Sequence, residues 1–158
     1  AHRGKEQYLD SFAEKSVWAL WEKAVELGLI VELHIGPNYA TQVAEVLHDL
    51  PDTVALIDHL AEPHMGDGVE FADVLDLARF DNVYMKLSGL SHFNKEGPLY
   101  ESARPFTQRV IGEFGPQRTV WGSGTPDIVD AHMEAYSEAD RALVKGGNLA
   151  RLLGWETT

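Results

Sequence analysis

Two rhythms of apolar and polar positions alternate along this chain. Val17, Leu20, Trp21, Ala24 and Val25 recur three and four residues apart, the spacing of one helical face. That helix runs to about Leu27, with Ser11 or Ser16 as its expected cap and Gly28 where a terminating glycine belongs. The run LIVELHI, Leu29 to Ile35, is short and near-continuously apolar, as a buried strand is. The pair of rhythms then repeats. A helix over Tyr39 to Leu50 sets Val43, Val46, Leu47 and Leu50 on one face, and Pro51-Asp52 stops it before the strand Val54 to Ile57. A helix from about Val69 to Arg79, with Phe71, Val74, Leu75 and Leu77 as its apolar face, precedes the strand Val83 to Gly89. A helix from about Ser102 to Phe114 precedes the strand Thr119 to Ser123. A helix from about Asp130 to Val144, a break at Lys145-Gly146-Gly147 and a short helix capped by Asn148 close the chain.

One helix followed by four strand–helix units with short loops is the pattern of a parallel α/β sheet with right-handed crossovers. Four such units, of roughly 30 residues each, make half of a TIM-like (β/α)8 barrel. Left open, a four-stranded parallel sheet exposes two unpaired edges. The expected fold is therefore α/β, either a small doubly wound domain or half a barrel that needs its other half. Residues 1–158 read as a single (β/α)4 unit, with residues 1–11 as a polar N-terminal arm.

Composition narrows the partners. A chain of 158 residues is long enough for one domain with a real core. A formal net charge of −12 makes nucleic acid and anionic membrane poor partners. No stretch approaches the ~20 apolar residues of a membrane span, and no secretory leader pattern opens the chain. The absence of cysteine excludes disulfides and thiolate metal sites. The cytoplasm is the default compartment. The first residue is Ala1 rather than Met, so further residues are expected before it in the gene product.

Parallel α/β proteins keep their chemistry at the C-terminal ends of strands, and each strand here runs into polar residues. His59, after Asp58 at the end of the second strand, is the catalytic candidate. A neutral imidazole suits proton transfer or carbonyl polarisation near neutral pH. Asp58, on the other side of the strand, is expected to hold a backbone group or an arginine. Lys86 and Ser88 share one face of the third strand because strand side chains alternate. Lys86 has apolar neighbours and needs an anion, either a substrate carboxylate or a structural acid. Ser88 offers a hydrogen bond in the same pocket, and His92 lies in the loop beyond; these three are the substrate-binding candidates. His34 is the candidate metal ligand. A zinc-type divalent ion wants three or four nitrogen or oxygen ligands, and His34 with Asp58 or Asp127 falls short of that. Asp127 also suits the N-terminus of the next helix. His2, His48, His64 and His132 read as surface or loop residues. Trp18, Trp21 and Trp155 read as helix-to-sheet packing and Trp121 as core.

Five segments together resemble the amidohydrolase superfamily, in its amidohydrolase-2 branch. They are LHIGP, LIDHLAEP, NVYMKLSGL, TVWGSGTP and GGNLARLLGW, in that order over nearly the whole chain. The resemblance implies the C-terminal half of a distorted (β/α)8 barrel. It matches His34 to the metal-ligand or substrate-facing histidine after the fifth barrel strand. It matches His59 to the histidine after the sixth strand, which orients substrate or shuttles a proton. It implies a small-molecule substrate and a metal-dependent hydrolase of lactones or related C–O or C–N bonds, or a decarboxylase of aromatic acids, with DHLAEP and KLSGL closest to the sugar-lactonase side. Two departures stand out. Gly124 occupies the position of the aspartate after the eighth strand, which in relatives activates the attacking water, and no His-x-His pair occurs anywhere. Two expectations follow. The chain is a hydrolase fragment or subunit, impaired unless an N-terminal half or a second copy completes it; or it is a catalytically inactive half-barrel that closes by oligomerisation and serves binding or structure.

Overall fold

The computed structural model describes residues 11–12, 14–63 and 68–155. Four parallel strands, β1 (Ile30–Leu33), β2 (Val54–Ile57), β3 (Val83–Leu87) and β4 (Thr119–Trp121), lie side by side in chain order. Ile30 pairs with Val54, Ala55 with Val83, and Met85 with Thr119. Helix α1 (Lys15–Glu26) leads into β1, α2 (Ala40–Asp49) into β2 and α3 (Gly68–Asp76) into β3. After β3 come the single turn α4 (Leu90–Phe93) and α5 (Arg104–Phe114), and after β4 come α6 (Asp127–His132), α7 (Glu138–Ala142) and α8 (Asn148–Leu152). Sequential parallel strands with a helix after each are half of a TIM-type barrel.

Strand alternation divides the sheet into two faces. Leu33, Ala55, Ile57, Val83, Met85 and Leu87 join Val43, Val46, Val74, Leu77, Val110 and Ile111 of the helices in one buried core. Each of these side chains larger than alanine contributes about 1.5–3 kcal/mol relative to exposure, so the helical layer holds to the sheet from one side. The other face carries Glu32, Leu56 and Tyr84 in one row and Lys86 with Val120 in the next. In a closed barrel that face lines the lumen.

The helix-ending glycine is as expected: Gly28 has φ +63°, and its N–H reaches the Val25 carbonyl while Leu29 N–H reaches Ala24. Other local details differ from the sequence reading. Ser16 lies inside α1, whose N-cap is Glu14 with no side-chain cap bond. The expected helix from Asp130 to Val144 is two helices. Ser137 Oγ accepts the Asp140 N–H at 3.1 Å while the Asp140 carboxylate accepts the Ser137 N–H at 3.3 Å, a capping box that starts α7 afresh. Lys145-Gly146-Gly147 does not break the chain's helix. It passes through a π-turn, Leu143–Gly147, straight into α8. Asn148 is no cap: it is buried, and its amide donates to the Pro116 and Thr119 carbonyls at 2.7 Å each, tying α8 to the start of β4.

His132 is fully buried rather than on the surface, bonded to Thr107 Oγ1 at 2.6 Å and to the Leu99 carbonyl at 2.7 Å. Leu20 is 70% exposed and Trp155 69%, against the packing roles read from their spacing. Among the described residues, helix α1 packs on β1 and, through Trp21, on Phe12, while Leu20 faces outward. Trp121 lies at the margin of the core. The expected N-terminal arm lies outside the described residues apart from Ser11. No described helix is long and apolar enough to cross a membrane.

Candidate active site

The candidate residues meet where β1, β2 and β3 end. Strand β2 stops at Ile57, and the next residues turn with an unusual hand. His59, Leu60, Ala61 and Glu62 all have positive φ, between 47° and 56°, and none is glycine. A left-handed residue costs roughly 1–2 kcal/mol when it bears a side chain, so the turn persists only because its surroundings hold it. Leu60 and Ala61 are fully buried, and the Glu62 N–H closes the turn on the His59 carbonyl at 2.9 Å. The result sets His59 and Glu62 three residues apart on one short turn.

Glu62 is the centre of the cluster and is wholly buried. Its Oε1 lies 2.9 Å from His34 Nε2 and 3.0 Å from His92 Nδ1, and its Oε2 lies 3.2 Å from the same His92 nitrogen. Burial pushes the carboxyl up, but the hydrogen bond from His34, the charge and hydrogen bond of His92 and the charge of His59 together outweigh it. The net shift is below the ordinary glutamate value, and Glu62 is a carboxylate. A carboxylate accepts only, so His34 Nε2 and His92 Nδ1 carry the protons of these bonds, leaving His34 Nδ1 and His92 Nε2 with lone pairs. The His59 ring stands between the other two, edge-to-face, with centroids 5.1 Å from His34 and 4.8 Å from His92. Its Nδ1 pairs with Ser88 Oγ at 2.8 Å, which leaves Nε2 free. Burial, reinforced by His92 and His34 and opposed by Asp58 and Glu62, holds His59 below its ordinary value and therefore neutral at neutral pH.

The seat of His59 is glycine. A Cβ on Gly89, at φ +65°, would stand 2.7 Å from His59 Cβ and Cγ, so no side chain fits. The Gly89 N–H donates to Ser123 Oγ at 3.1 Å, which ties the loop after β3 to that after β4. On the lumen face Lys86 pairs with Asp58 at 2.7 Å and with Glu32, so the anion it needed is structural and doubly supplied.

The structure thus brings His34, His59, Ser88 and His92 together, with Lys86 beside them. Asp127, the first residue of α6, is exposed and outside the cluster. Sequence reasoning missed Glu62 and Glu32. Glu62 had a signal, an acid before Pro63 in a strand-end loop three residues beyond His59, but neither strand nor helix periodicity reports a left-handed turn without glycine. His34, His59 and Glu62 offer ligand atoms within 4.8 Å of one another, two imidazoles and a carboxylate.

A sequence model of the amidohydrolase family matches residues 1–155. The chain belongs to the amidohydrolase family. Among curated relatives, a 4-sulfomuconolactone hydrolase of Hydrogenophaga intermedia is 30% identical over 158 aligned residues, covering 86% of this chain and 52% of that protein. An L-fucono-1,5-lactonase of Burkholderia ambifaria is 31% identical over 97, covering 58% and 33%. The chain spans about half the length of the first relative and a third of the second. Among solved structures, a putative 2-pyrone-4,6-dicarboxylic acid hydrolase from Pseudomonas putida superposes with TM-score 0.73 at 24% identity, covering 96% of this chain and 61% of that one. An amidohydrolase from Burkholderia multivorans with bound zinc gives 0.72 at 18%, covering 96% and 66%. These likenesses establish the fold, and the part of each barrel that is matched agrees with four strands out of eight.

Proposed function

We propose that residues 1–158 are the C-terminal (β/α)4 unit of a lactone hydrolase, whose barrel a further four strands complete. The observation that carries the reading is the buried Glu62 carboxylate held between His34 and His92 on a strained turn at the strand ends. Strain of that kind collects at functional sites, and the curated relatives are named as lactone hydrolases. The reaction adds water to the ring carbonyl carbon, breaks the ring C–O bond and yields a hydroxy acid. His34, His59 and Glu62 fit a zinc-type divalent ion, since three such donors with an open fourth position are the usual catalytic set. When bound there, such an ion would polarise the carbonyl and acidify water. With His59 Nε2 so engaged, His92 Nε2 is the lone pair left to take a proton from the attacking water and return it to the ring oxygen. Ser88 fixes the His59 ring, and Glu62 fixes the tautomers of His34 and His92.

A second reading rests on Gly124. It sits at φ +80°, and a Cβ there would stand 2.5 Å from Ile128 Cδ1. No carboxylate stands at the place that the family resemblance assigns to a water-activating aspartate, which favours a binding or structural half-barrel without hydrolysis. Turnover decides between the two. The protein with its barrel completed by the further strands, with zinc and with its native mass recorded, is given neutral and anionic lactones while acid release is followed. Opening of a lactone that falls at least ~10²-fold in Glu62→Gln and His59→Ala supports the hydrolase. Zinc-loaded, folded protein that opens none supports the binding subunit.

A further inference from the structure

We propose that Lys86 is a positioning residue of this site: by holding Asp58 it fixes the start of the left-handed turn that presents His59 and Glu62. This rests on the reading above that His34, His59 and Glu62 hold a zinc-type ion, and deepens it. Four consecutive residues of that turn, His59 to Glu62, are left-handed without glycine. Such a turn keeps its shape only while its surroundings over-determine it.

Those surroundings come in order from one neighbouring strand and its loop. Lys86 of β3 reaches Asp58 at 2.7 Å, Ser88 Oγ reaches His59 Nδ1 at 2.8 Å, and His92 Nδ1 reaches Glu62 at 3.0 Å. Gly89 leaves the space that the His59 ring fills. Lys86, Ser88, Gly89 and His92 thus meet the turn in the order of the chain, from Asp58 through His59 to Glu62. Lys86 makes the first of these ties, one residue ahead of the first left-handed one. The pair is well shielded, with the Lys86 side chain 19% exposed and that of Asp58 14%. Removing one member of a shielded pair strands the other charge away from water, so the tie resists opening. The same ammonium also bonds Glu32 of β1. Lys86 is braced from the far side as well. Its stem lies on Gly122, just past β4, where a Cβ would stand 2.6 Å from Lys86 Cδ and 2.7 Å from Cγ.

The sign of one substitution separates positioning from plain charge. An ammonium repels a metal cation, so by charge alone Lys86→Met would tighten zinc binding. Loss of the tie would weaken it, because ligands on a loosened turn must be ordered when the ion binds.

The test measures zinc affinity by calorimetry, and amide hydrogen exchange without zinc, on the protein with its barrel completed by the further strands. Lys86→Met is expected to lower zinc affinity about tenfold or more, and Lys86→Arg, which keeps the charge, to restore it. Lys86→Met combined with Asp58→Asn is expected to bind no more weakly than the weaker single variant, as two members of one tie do. The Glu62 N–H closes the turn on the His59 carbonyl, and the Ala55 N–H bonds the Asn82 carbonyl within the sheet. In Lys86→Met the first should exchange about tenfold faster relative to the second, since the opening is local. Zinc affinity unchanged or raised in Lys86→Met, losses that add in the double variant, or an arginine variant as weak as the methionine one overturns the inference. If the intact protein binds no zinc, the metal reading fails, and the exchange ratio alone decides: a faster Glu62 amide supports the inference and an unchanged ratio overturns it. Should circular dichroism show Lys86→Met unfolded, Gly122→Ala displaces the Lys86 stem from outside the turn. Weaker zinc binding with faster Glu62 exchange in that variant supports the inference, and neither change overturns it.

Discussion

Single atoms decide what the cluster at the strand ends does. Gly89 is glycine for two reasons at once, a left-handed backbone and a ring lying where its side chain would be. Gly28 has the first reason only, since nothing lies within 4 Å of a Cβ there. Gly89→Ala should therefore cost more stability than Gly28→Ala, by about 1–3 kcal/mol, read from urea midpoints, and it should also displace His59. Equal costs would mean that the contact with His59 is soft. Glu62→Gln tests a different property. The amide keeps the shape but gives up the charge that His34 and His92 address. Zinc affinity by calorimetry should fall about 10–100-fold, while the fold survives.

At the scale of elements, the short helix α6 is pinned from inside by His132. Burial first, helped by the charge of Arg104 and opposed by the Leu99 bond and by Glu101, holds this imidazole below its ordinary value near 6.5. A group with a lowered histidine pKa binds its proton more readily when unfolded. Its contribution to stability is therefore full above that ordinary value and is lost as pH falls below it. The urea midpoint should decline as pH drops from about 7.5 to about 5. His59 shifts the same way, so the part due to His132 is the part removed in His132→Gln. A decline that is unchanged in that variant would assign the whole effect elsewhere.

At the scale of the molecule, the sheet has two open edges among the described residues, at β1 and β4. Beside β1 lies an apolar groove of about 340 Å³, lined by Val17, Leu20, Trp21, Leu29, Val31 and neighbours. Exposed apolar surface next to an unpaired strand favours association. Native mass at micromolar concentration should exceed that of one chain, and Leu20→Glu with Leu29→Lys should return the protein toward the monomer. A clean monomer before substitution would show that the edges tolerate water.

The order of strands and helices, the apolar face of most helices, and the placing of His34, His59, Ser88 and His92 at strand ends were all legible in the sequence. Periods of two and of about 3.6 encode which side a residue faces, and the ends of parallel strands gather on one side of the sheet. What only the tertiary structure decided was set by contacts between segments distant in the chain. Glu62 became the centre because a left-handed turn, paid for by the burial of Leu60 and Ala61, swings it between two histidines from other loops. Lys86 has two acid partners because β1 and the turn after β2 each set one beside it. The split at Ser137, the buried His132 and the exposed Leu20 follow the same logic, since each depends on what lies across from a residue, and periodicity along one chain reports only which way it points.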